Sequence, residues 1–480
     1  MIEKGNAEEE SEEHLHEECG VVGIYSMGEI NTAAAYFALH ALQHRGQESA
    51  GIVASNGKAL VCHKDKGLVR EVFEPSDLEP FQNQRISIGH VRYSTQGSNT
   101  RFNAQPLMSR YRNGELAVAH NGTLLNTKVL MRDLCNAGSV FQTSTDSEVF
   151  VHLLARYAHL SLPHAVLTMM NDVQGSYSLV IITPDTLIGV RDPMGIRPLA
   201  LGRKGESYML ASESVAFDAV DASYVRDIEP GEIIVINKEG VNSYKYDPHG
   251  PKEPSHMCLF EYVYLARTDS FMDGIDIMGA RLRAGAELAR IAPVEADLVA
   301  GVPDSALTAA MGYARESGIP YGDALTKNRY VGRSFIQPEQ SMRELAVRMK
   351  LNALRANVAG KRVVLVDDSI VRGTTSRKLV DMLKSAGAKE VHLRISSPPV
   401  TDPCYFGIDT PSKKQLVGAS HTVEATRKLV GADTLAYLPL ENLERVVRQD
   451  KNIGFCTGCF NGKYPCDVNA CRRKGLSGRS

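Results

Sequence analysis

The sequence predicts a chain of at least two α/β domains, on three observations. Its 480 residues exceed what a single hydrophobic core usually organises. From about residue 297 onward, apolar β-branched runs alternate with helical stretches, the pattern of a parallel sheet with crossover helices. The breakers in Pro248-His249-Gly250-Pro251-Lys252-Glu253-Pro254 then mark a linker between that part and an earlier part of different texture.

Taken in order, residues 1–18 form an acidic leader containing Glu8, Glu9, Glu10, Glu12, Glu13, Glu17 and Glu18. Cys19-Gly20-Val21-Val22-Gly23-Ile24-Tyr25 reads as a short buried strand, and an Ala-rich stretch over 32–43 reads as a helix. Between 87 and 188 short apolar runs alternate with turn signals, with a helical segment over 149–158, so this half layers sheets with helices. Beyond the linker, strands are expected over 297–301, 362–366 and 390–395, and a helix over 375–386. The last thirty residues, rich in Gly, Cys and basic side chains, read as an irregular tail pinned by a cofactor. No internal repeat is present at any convincing period.

Composition narrows the function classes. A hydrophobic fraction of 43% with 23% charged residues is the balance of a soluble globular protein. A formal charge of −2 gives no electrostatic reason to expect nucleic acid or an anionic membrane as partner. No run approaches the roughly twenty apolar residues of a membrane span. The leader lacks the apolar stretch of a secretory signal, and its acidity argues against a transit peptide. Nine cysteines in such a chain read as thiols, metal ligands or a nucleophile rather than a disulfide framework, and the expected compartment is the cytoplasm.

The most specific signal lies at Arg362-Val363-Val364-Leu365-Val366, followed by Asp367-Asp368-Ser369-Ile370-Val371-Arg372-Gly373-Thr374-Thr375-Ser376. A strand ends in two acids, and a small, hydroxyl-rich loop then opens a helix. Ligands of parallel sheets sit beyond the carboxyl ends of strands, and amides at a helix N-terminus cradle phosphate. Two carboxylates would repel an anion, so they need another purpose, such as holding ribose hydroxyls with Mg²⁺ alongside. A lone Asp-Asp would be a surface turn; the whole combination is not. It resembles the phosphoribosyl pyrophosphate (PRPP) motif of type I phosphoribosyltransferases. That resemblance implies substrate contacts at Asp367, Asp368, Ser369, Arg372, Gly373, Thr374, Thr375 and Ser376. It also makes Gly301-Val302-Pro303-Asp304-Ser305 the pyrophosphate loop and places one Mg²⁺ per subunit at Ser305, Asp367 and Asp368. Lys327-Asn328-Arg329-Tyr330-Val331-Gly332-Arg333 is similar to the family's mobile lid, whose Lys327, Arg329, Tyr330 and Arg333 would stabilise the leaving group's charge.

Cys19 carries the second signal. Alone it would be a small buried residue as readily as a nucleophile. With the segments downstream, it resembles the start of class II, N-terminal-nucleophile glutamine amidotransferases. In such enzymes the chain's own α-amine, titrating near pH ~8, manages the thiol proton. Residues 1–18 are therefore expected to be a propeptide, removed between Glu18 and Cys19. The resemblance assigns Arg92, in His90-Val91-Arg92-Tyr93, to the glutamine carboxylate. It assigns Asn121 and Gly122 to an oxyanion hole, Asp146 to the substrate's amino group, and Arg45 to sealing the pocket.

Carrying both halves, the chain resembles the glutamine-dependent phosphoribosyltransferases that open purine synthesis. The expected fold is an N-terminal-nucleophile αββα sandwich over 19–250, a type I phosphoribosyltransferase domain with a parallel sheet over 251–455, and a cluster-binding tail over 456–480. The expected reaction converts glutamine, PRPP and water to 5-phosphoribosylamine, pyrophosphate and glutamate. Feedback by purine nucleotides and a homo-oligomer, a tetramer, are implied by the same resemblance.

Cys456-Thr457-Gly458-Cys459 alone fits a redox pair, half a zinc site or half an iron–sulfur site. Together with Cys258 and Cys404 it matches the ligands of the family's iron–sulfur branch, implying one [4Fe–4S] cluster per subunit; four thiolates also suit a structural zinc. Cys62 and Cys135 read as packing residues, and Cys466 and Cys471 carry no assignment. Two rivals fit less of the chain. Other class II amidotransferases, which deliver ammonia to sugar phosphates, aspartate or 2-oxoglutarate, do not need Asp367-Asp368 with Gly373-Thr374-Thr375. A PRPP-sensing regulator would need a DNA-binding segment, which the sequence lacks, and would have no use for Cys19 with Arg92 and Asn121-Gly122.

Overall fold

The computed structural model describes residues 19–28, 30–93, 100–246, 255–328 and 351–476. They divide into two compact units. The larger contains 17–283 together with 403–409 and 441–480, and the smaller contains 284–402 and 410–440. In this division the stretch up to residue 283, expected to begin the second domain at 251, stays with the larger unit, as do 403–409 and the chain from 441.

Two antiparallel sheets form the centre of the larger unit. The first runs in the order Ser223–Asp227, Ala200–Lys204, Ser207–Ala211, Gly20–Tyr25, Ile86–Arg92, Ser49–Ser55, Leu60–Lys66. The second runs Gly240–Lys245, Glu232–Asn237, Leu187–Arg191, Gly175–Ile182, Gly114–Leu124, Leu107–Tyr111. Between them, Val21, Val53, Ile86, Ile88, Ala117, Ala119, Val180, Ile182 and Ile234 interdigitate in one core. The opposite face of the first sheet packs Val22, Ile24 and Ile52 against Ala38, Leu39 and Val72, from the helices Ala35–Ala41 and Val69–Val72. That of the second packs Val118, Leu179 and Ile181 against Leu130, Phe150, Leu154 and Met169. These come from the helices Thr127–Asn136, Glu148–Arg156 and Leu162–Asp172. With both faces of each sheet covered, inner strands such as Gly20–Tyr25, Ile86–Arg92 and Gly175–Ile182 are buried along their whole length, and the layers stack α-β-β-α as expected.

Nearly every strand and helix expected from the sequence is present, with ends shifted by a residue or two. The stretch 32–43 is broken into a turn of 3₁₀ helix at Thr32–Ala34, the helix Ala35–Ala41 and a second 3₁₀ turn at Gln43–Arg45. The tail, expected to be irregular, is not. Its strand Gly454–Cys456 pairs in parallel with His256–Cys258, and the helices Gly458–Asn461 and Val468–Arg473 follow. Tyr464 Oη donates to the Pro403 carbonyl at 2.6 Å, and Asn126 Nδ2 to the Lys474 carbonyl at 3.0 Å. Backbone groups paired in this way order a segment that composition alone reads as loop.

In the smaller unit four parallel strands run in the order Leu298–Gly301, Arg362–Asp367, Glu390–Ile395, Thr434–Tyr437. Helix Thr374–Ser385 buries Leu379, Val380 and Leu383 against the strand residues Leu365, Leu393 and Ile395. Such a crossover leaves the carboxyl ends of the two central strands beside the helix start. No described helix is long and apolar enough to cross a membrane.

Candidate active site

Cys19 immediately precedes the strand Gly20–Tyr25 in the middle of the first sheet, and the register Gly20↔Val91 sets it beside Arg92. It is half-buried, and its thiol donates to the Tyr93 carbonyl at 3.5 Å. Burial pushes the thiol up to about 11, against the pull of a backbone hydrogen bond and of the Arg92 charge, while Asp146 and Glu48 add to the rise. A thiol so placed is protonated at neutral pH and cannot attack without a base. The charges of Arg92, Asp146 and Glu48 are thus close enough to act on it. Glu48, from the segment His44-Arg45-Gly46-Gln47-Glu48, is a neighbour that the sequence did not single out.

The second sheet contributes Asn121 and Gly122 from the strand Gly114–Leu124, paired Asn121↔Ser178 and Gly122↔Tyr177. Asn121 is 1% exposed, and neither atom of its amide has a hydrogen-bond partner among the described residues. A buried amide left so costs stability unless something else uses it. Gly122 takes φ +136°, and a Cβ there would stand 2.2 Å from the Ser176 carbonyl oxygen, so only glycine fits. Asp146, also buried, accepts from the Leu124 amide at 2.8 Å and thereby ties its loop to the same strand. His120 lies between, with Nδ1 3.0 Å from Ser147 Oγ and 4.0 Å from Asp146 Oδ1. Burial lowers its basicity.

Arg45, expected from the sequence to help seal the pocket, lies against the backbone of Cys19. Its guanidinium is fully buried between two carboxylates. Nη1 donates to Glu213 Oε1 at 2.6 Å and to Glu261 Oε2 at 3.1 Å, Nη2 donates to Glu261 Oε1 at 2.7 Å, and Nε reaches the Cys19 carbonyl at 3.2 Å. His44 Nε2 meets Glu213 Oε1 at 2.7 Å. Burial would push the Glu213 carboxyl up, but His44 and Arg45 hold it well below the usual range. Neither acid stands out in the sequence, because each draws its meaning from a partner 168 or 216 positions away.

In the smaller unit the two acids sit where expected. Asp367 closes its strand, and Asp368 follows; both are buried. Asp368 accepts from Ser369 Oγ at 2.6 Å and from Ser305 Oγ, so the two loops converge on one carboxylate. The Val302 amide donates to the Val366 carbonyl at 2.9 Å, which holds the loops side by side. Asp367 Oδ1 accepts from the Asp368 amide at 2.9 Å. Gly373, at φ +87°, turns the chain into the helix Thr374–Ser385. Thr374 is exposed, Thr375 and Arg372 are half-buried, and Ser376 is buried. Lys327 Nζ pairs with Asp304 Oδ2 at 2.7 Å, while Arg329, Tyr330 and Arg333 lie outside the described residues, as do residues 1–18.

The cysteines of the expected ligand set all belong to the larger unit. Cys258 and Cys456 are register partners on adjacent parallel strands, and Cys404 Sγ accepts from the Phe406 amide at 3.3 Å. Burial pushes the Cys456 thiol up to about 12 and also raises those of Cys258 and Cys459 well above the ordinary thiol range; the neighbouring thiols raise all three and Arg197 opposes the rise. Among the described residues no three His, Cys, Asp or Glu side chains stand close enough to hold a metal ion as they are. Cys62 and Cys135, expected as packing residues, are exposed. Cys471 Sγ lies 3.5 Å from Gln174 Oε1.

Residues 90–219 match the glutamine amidotransferase domain family and residues 277–396 the phosphoribosyl transferase domain family. The amidophosphoribosyltransferase of Bacillus subtilis strain 168 is 49% identical over 458 residues, spanning 95% of each chain. That of Archaeoglobus fulgidus is also 49% identical, over 94% of this chain and 98% of its own. The solved glutamine PRPP amidotransferase of B. subtilis, complexed with ADP and GMP, superposes with a TM-score of 0.88 at 48% identity. The match covers 95% of this chain and 99% of that one.

Proposed function

Because the chain belongs to the amidophosphoribosyltransferase family, we propose which of its residues carry the family's reaction. The enzyme is a glutamine-dependent phosphoribosyltransferase of the first step of purine synthesis. Glutamine, PRPP and water become 5-phosphoribosylamine, pyrophosphate and glutamate.

Cys19, freed of residues 1–18, is the nucleophile. Its α-amine takes the thiol proton, and the sulfur attacks the glutamine amide carbon. Asn121 Nδ2 and the Gly122 amide hold the oxyanion that forms. When that intermediate collapses, the C–N bond breaks and the proton returns to the departing ammonia, leaving a thioester that water hydrolyses to glutamate. Arg92 takes the substrate carboxylate and Asp146 its ammonium. Ammonia then attacks C1 of the ribose, the C1–O bond breaks, and pyrophosphate leaves with the bonding pair. Asp367 and Asp368 hold the ribose side of PRPP, and the amides and hydroxyls from Ser369 to Ser376 hold its phosphate. Lys327, with Arg329, Tyr330 and Arg333, covers the leaving group.

One observation carries this reading: the strand register sets Arg92 beside Cys19, and the Leu124 amide ties Asp146 to the strand of Asn121 and Gly122, giving the opposite charges that a zwitterionic amino acid requires. The test is glutamine hydrolysis and pyrophosphate release with and without PRPP. Cys19→Ala should abolish the use of glutamine and leave synthesis from concentrated ammonia. A variant that still hydrolysed glutamine would overturn the assignment.

The family uses Mg²⁺ with PRPP. Hard oxygen donors at Asp367, Asp368 and Ser305 suit it, and bound there it would neutralise pyrophosphate charge. Cys258, Cys404, Cys456 and Cys459 would hold a [4Fe–4S] cluster, supported by the cross-strand pairing of Cys258 with Cys456 and by all four cysteines belonging to one unit. Such a group would act as a structural tie, since neither half-reaction is a redox step. Brown protein with about four irons per chain is expected, and colourless protein with stoichiometric zinc would favour the alternative. Inhibition by purine nucleotides is supported by the ADP and GMP of the B. subtilis structure. A homo-oligomeric, cytoplasmic enzyme completes the proposal, the compartment supported by nine free thiols.

A further inference from the structure

The loop 403–409 approaches the glutamine site by two routes that meet at one atom, the Phe406 carbonyl oxygen. It accepts from Ser176 Oγ at 2.6 Å and from Arg197 Nε at 2.8 Å, and all three residues are buried. The first route is short. Ser176 is the strand partner of Thr123, its own carbonyl limits the room at Gly122, and a Cβ on Gly407 would stand 3.4 Å from Gly122 Cα. The second passes through charge. Arg197 Nη1 pairs with Glu261 Oε1 at 3.6 Å, Glu261 takes Arg45 in a two-point grip at 2.7 and 3.1 Å, and Arg45 Nε holds the Cys19 carbonyl at 3.2 Å. Arg45, Arg197 and Glu261 are each 2% exposed or less, so water does not compete for these contacts.

We propose that Glu261 and Arg197 are positioning residues for glutamine hydrolysis: through Arg45 they fix the backbone of Cys19, while the Phe406 carbonyl, which Arg197 shares with Ser176, ties Arg197 to the strand paired with that of Asn121 and Gly122. Neither residue touches substrate. Their joint effect sets the distance between nucleophile and oxyanion donors, which matters at the transition state more than in the bound ground state. Glutamine binding rests on Arg92 and Asp146, outside this relay. Ribosyl transfer rests on the other unit.

The inference depends on Cys19 being the nucleophile, and the experiment separates the two. Glu261→Gln keeps the shape and removes the charge that grips Arg45. Displacements of about 1 Å at a reacting centre cost on the order of 100-fold, so a fall of about 10- to 100-fold in glutamine-dependent kcat is expected. The KM for glutamine and the ammonia-dependent rate should stay unchanged. Alkylation of Cys19 by iodoacetamide, followed by mass spectrometry, should slow in the same protein, and its metal content should equal that of the parent. Arg197→Lys, which keeps the charge but loses the planar fork, provides a second variant should Glu261→Gln not fold; the same split is expected. Equal losses with glutamine and ammonia, a raised KM at constant kcat, or no change in either variant would each overturn the inference. If Cys19→Ala itself still hydrolysed glutamine, the nucleophile assignment would fall first.

Discussion

Asn121 offers the sharpest test of how the glutamine site spends stability on function. Its amide is buried in a strand, with neither polar atom bonded to the described residues. An unsatisfied buried polar group costs about 1–3 kcal/mol, and Asn121→Ala removes that penalty along with the amide. Against that stands the packing lost with the side chain, about 2 kcal/mol for a deletion of this size in a core. The expected change in folding stability is therefore small and of either sign. Catalysis should respond quite differently. Removing one oxyanion donor costs about 100- to 1,000-fold in kcat, about 3–4 kcal/mol. The assay pairs glutamate release at saturating PRPP with ammonia-dependent pyrophosphate release and thermal unfolding. Glutaminase should collapse while Tm and the ammonia rate hold. A variant that unfolds easily and loses both rates together would show Asn121 to be a structural amide, and undiminished glutaminase would remove it from the oxyanion hole.

Gly122→Ala should lower stability by about 1–3 kcal/mol from backbone strain alone, before any clash with the Ser176 carbonyl is counted. Chemical denaturation checks this, and a midpoint equal to the parent's would contradict it. His90, buried and donating from Nε2 to the His120 carbonyl at 3.0 Å, has its pKa lowered by burial to about 3. Its stabilisation is therefore fully present above the unfolded value near 6.5 and is lost as pH falls toward 3, by at most about 1.4 kcal/mol per pH unit. Urea midpoints at pH 7 and pH 4.5 should converge in His90→Gln relative to the parent, and an identical slope in both proteins would refute the assignment. Asp367→Ala with Asp368→Ala should depress synthesis from glutamine and from ammonia alike, read as pyrophosphate release. Normal ammonia-dependent synthesis would remove these acids from the PRPP site.

Much of this was legible in the sequence because its chemistry is local. Strand, two acids, hydroxyl-rich loop and helix start are consecutive residues, so 362–376 reads directly, and the structure adds only the Ser305 and Ser369 hydroxyls on Asp368. Arg92, Asn121, Gly122 and Asp146, proposed for the glutamine pocket, each lie in a segment with its own signature. What escaped is whatever depends on distant pairs. The sequence marks Arg45 but not its partners, since Glu213 and Glu261 lie 168 and 216 positions away. The tail looks irregular because its order comes from strand pairing with His256–Cys258 and from hydrogen bonds to Pro403 and Asn126, none of which leaves a periodic trace. The exposure of Cys62 and Cys135 was missed for a related reason, since a lone cysteine carries no sign of which face of its element it occupies.

The buried charges bear on why the larger unit is built as it is. Two arginines and two glutamates, each 2% exposed or less, form one contiguous group with no net charge when His44 is neutral. As a device for stability this is a poor choice, because desolvating four ions costs about as much as their mutual attraction returns, and apolar side chains of similar volume usually do as well or better. Ion pairs differ from apolar packing in direction. A leucine in place of Glu261 could fill the space while tolerating small rotations of its neighbours, whereas a carboxylate gripping Arg45 at two points does not. The requirement the group meets is thus angular, and it is strictest at the Cys19 carbonyl, one bond from the Cα that aims the thiol. Directional restraint there matters because the proposed oxyanion donors come from a different sheet, and the two strands share no hydrogen-bond ladder that would fix their register.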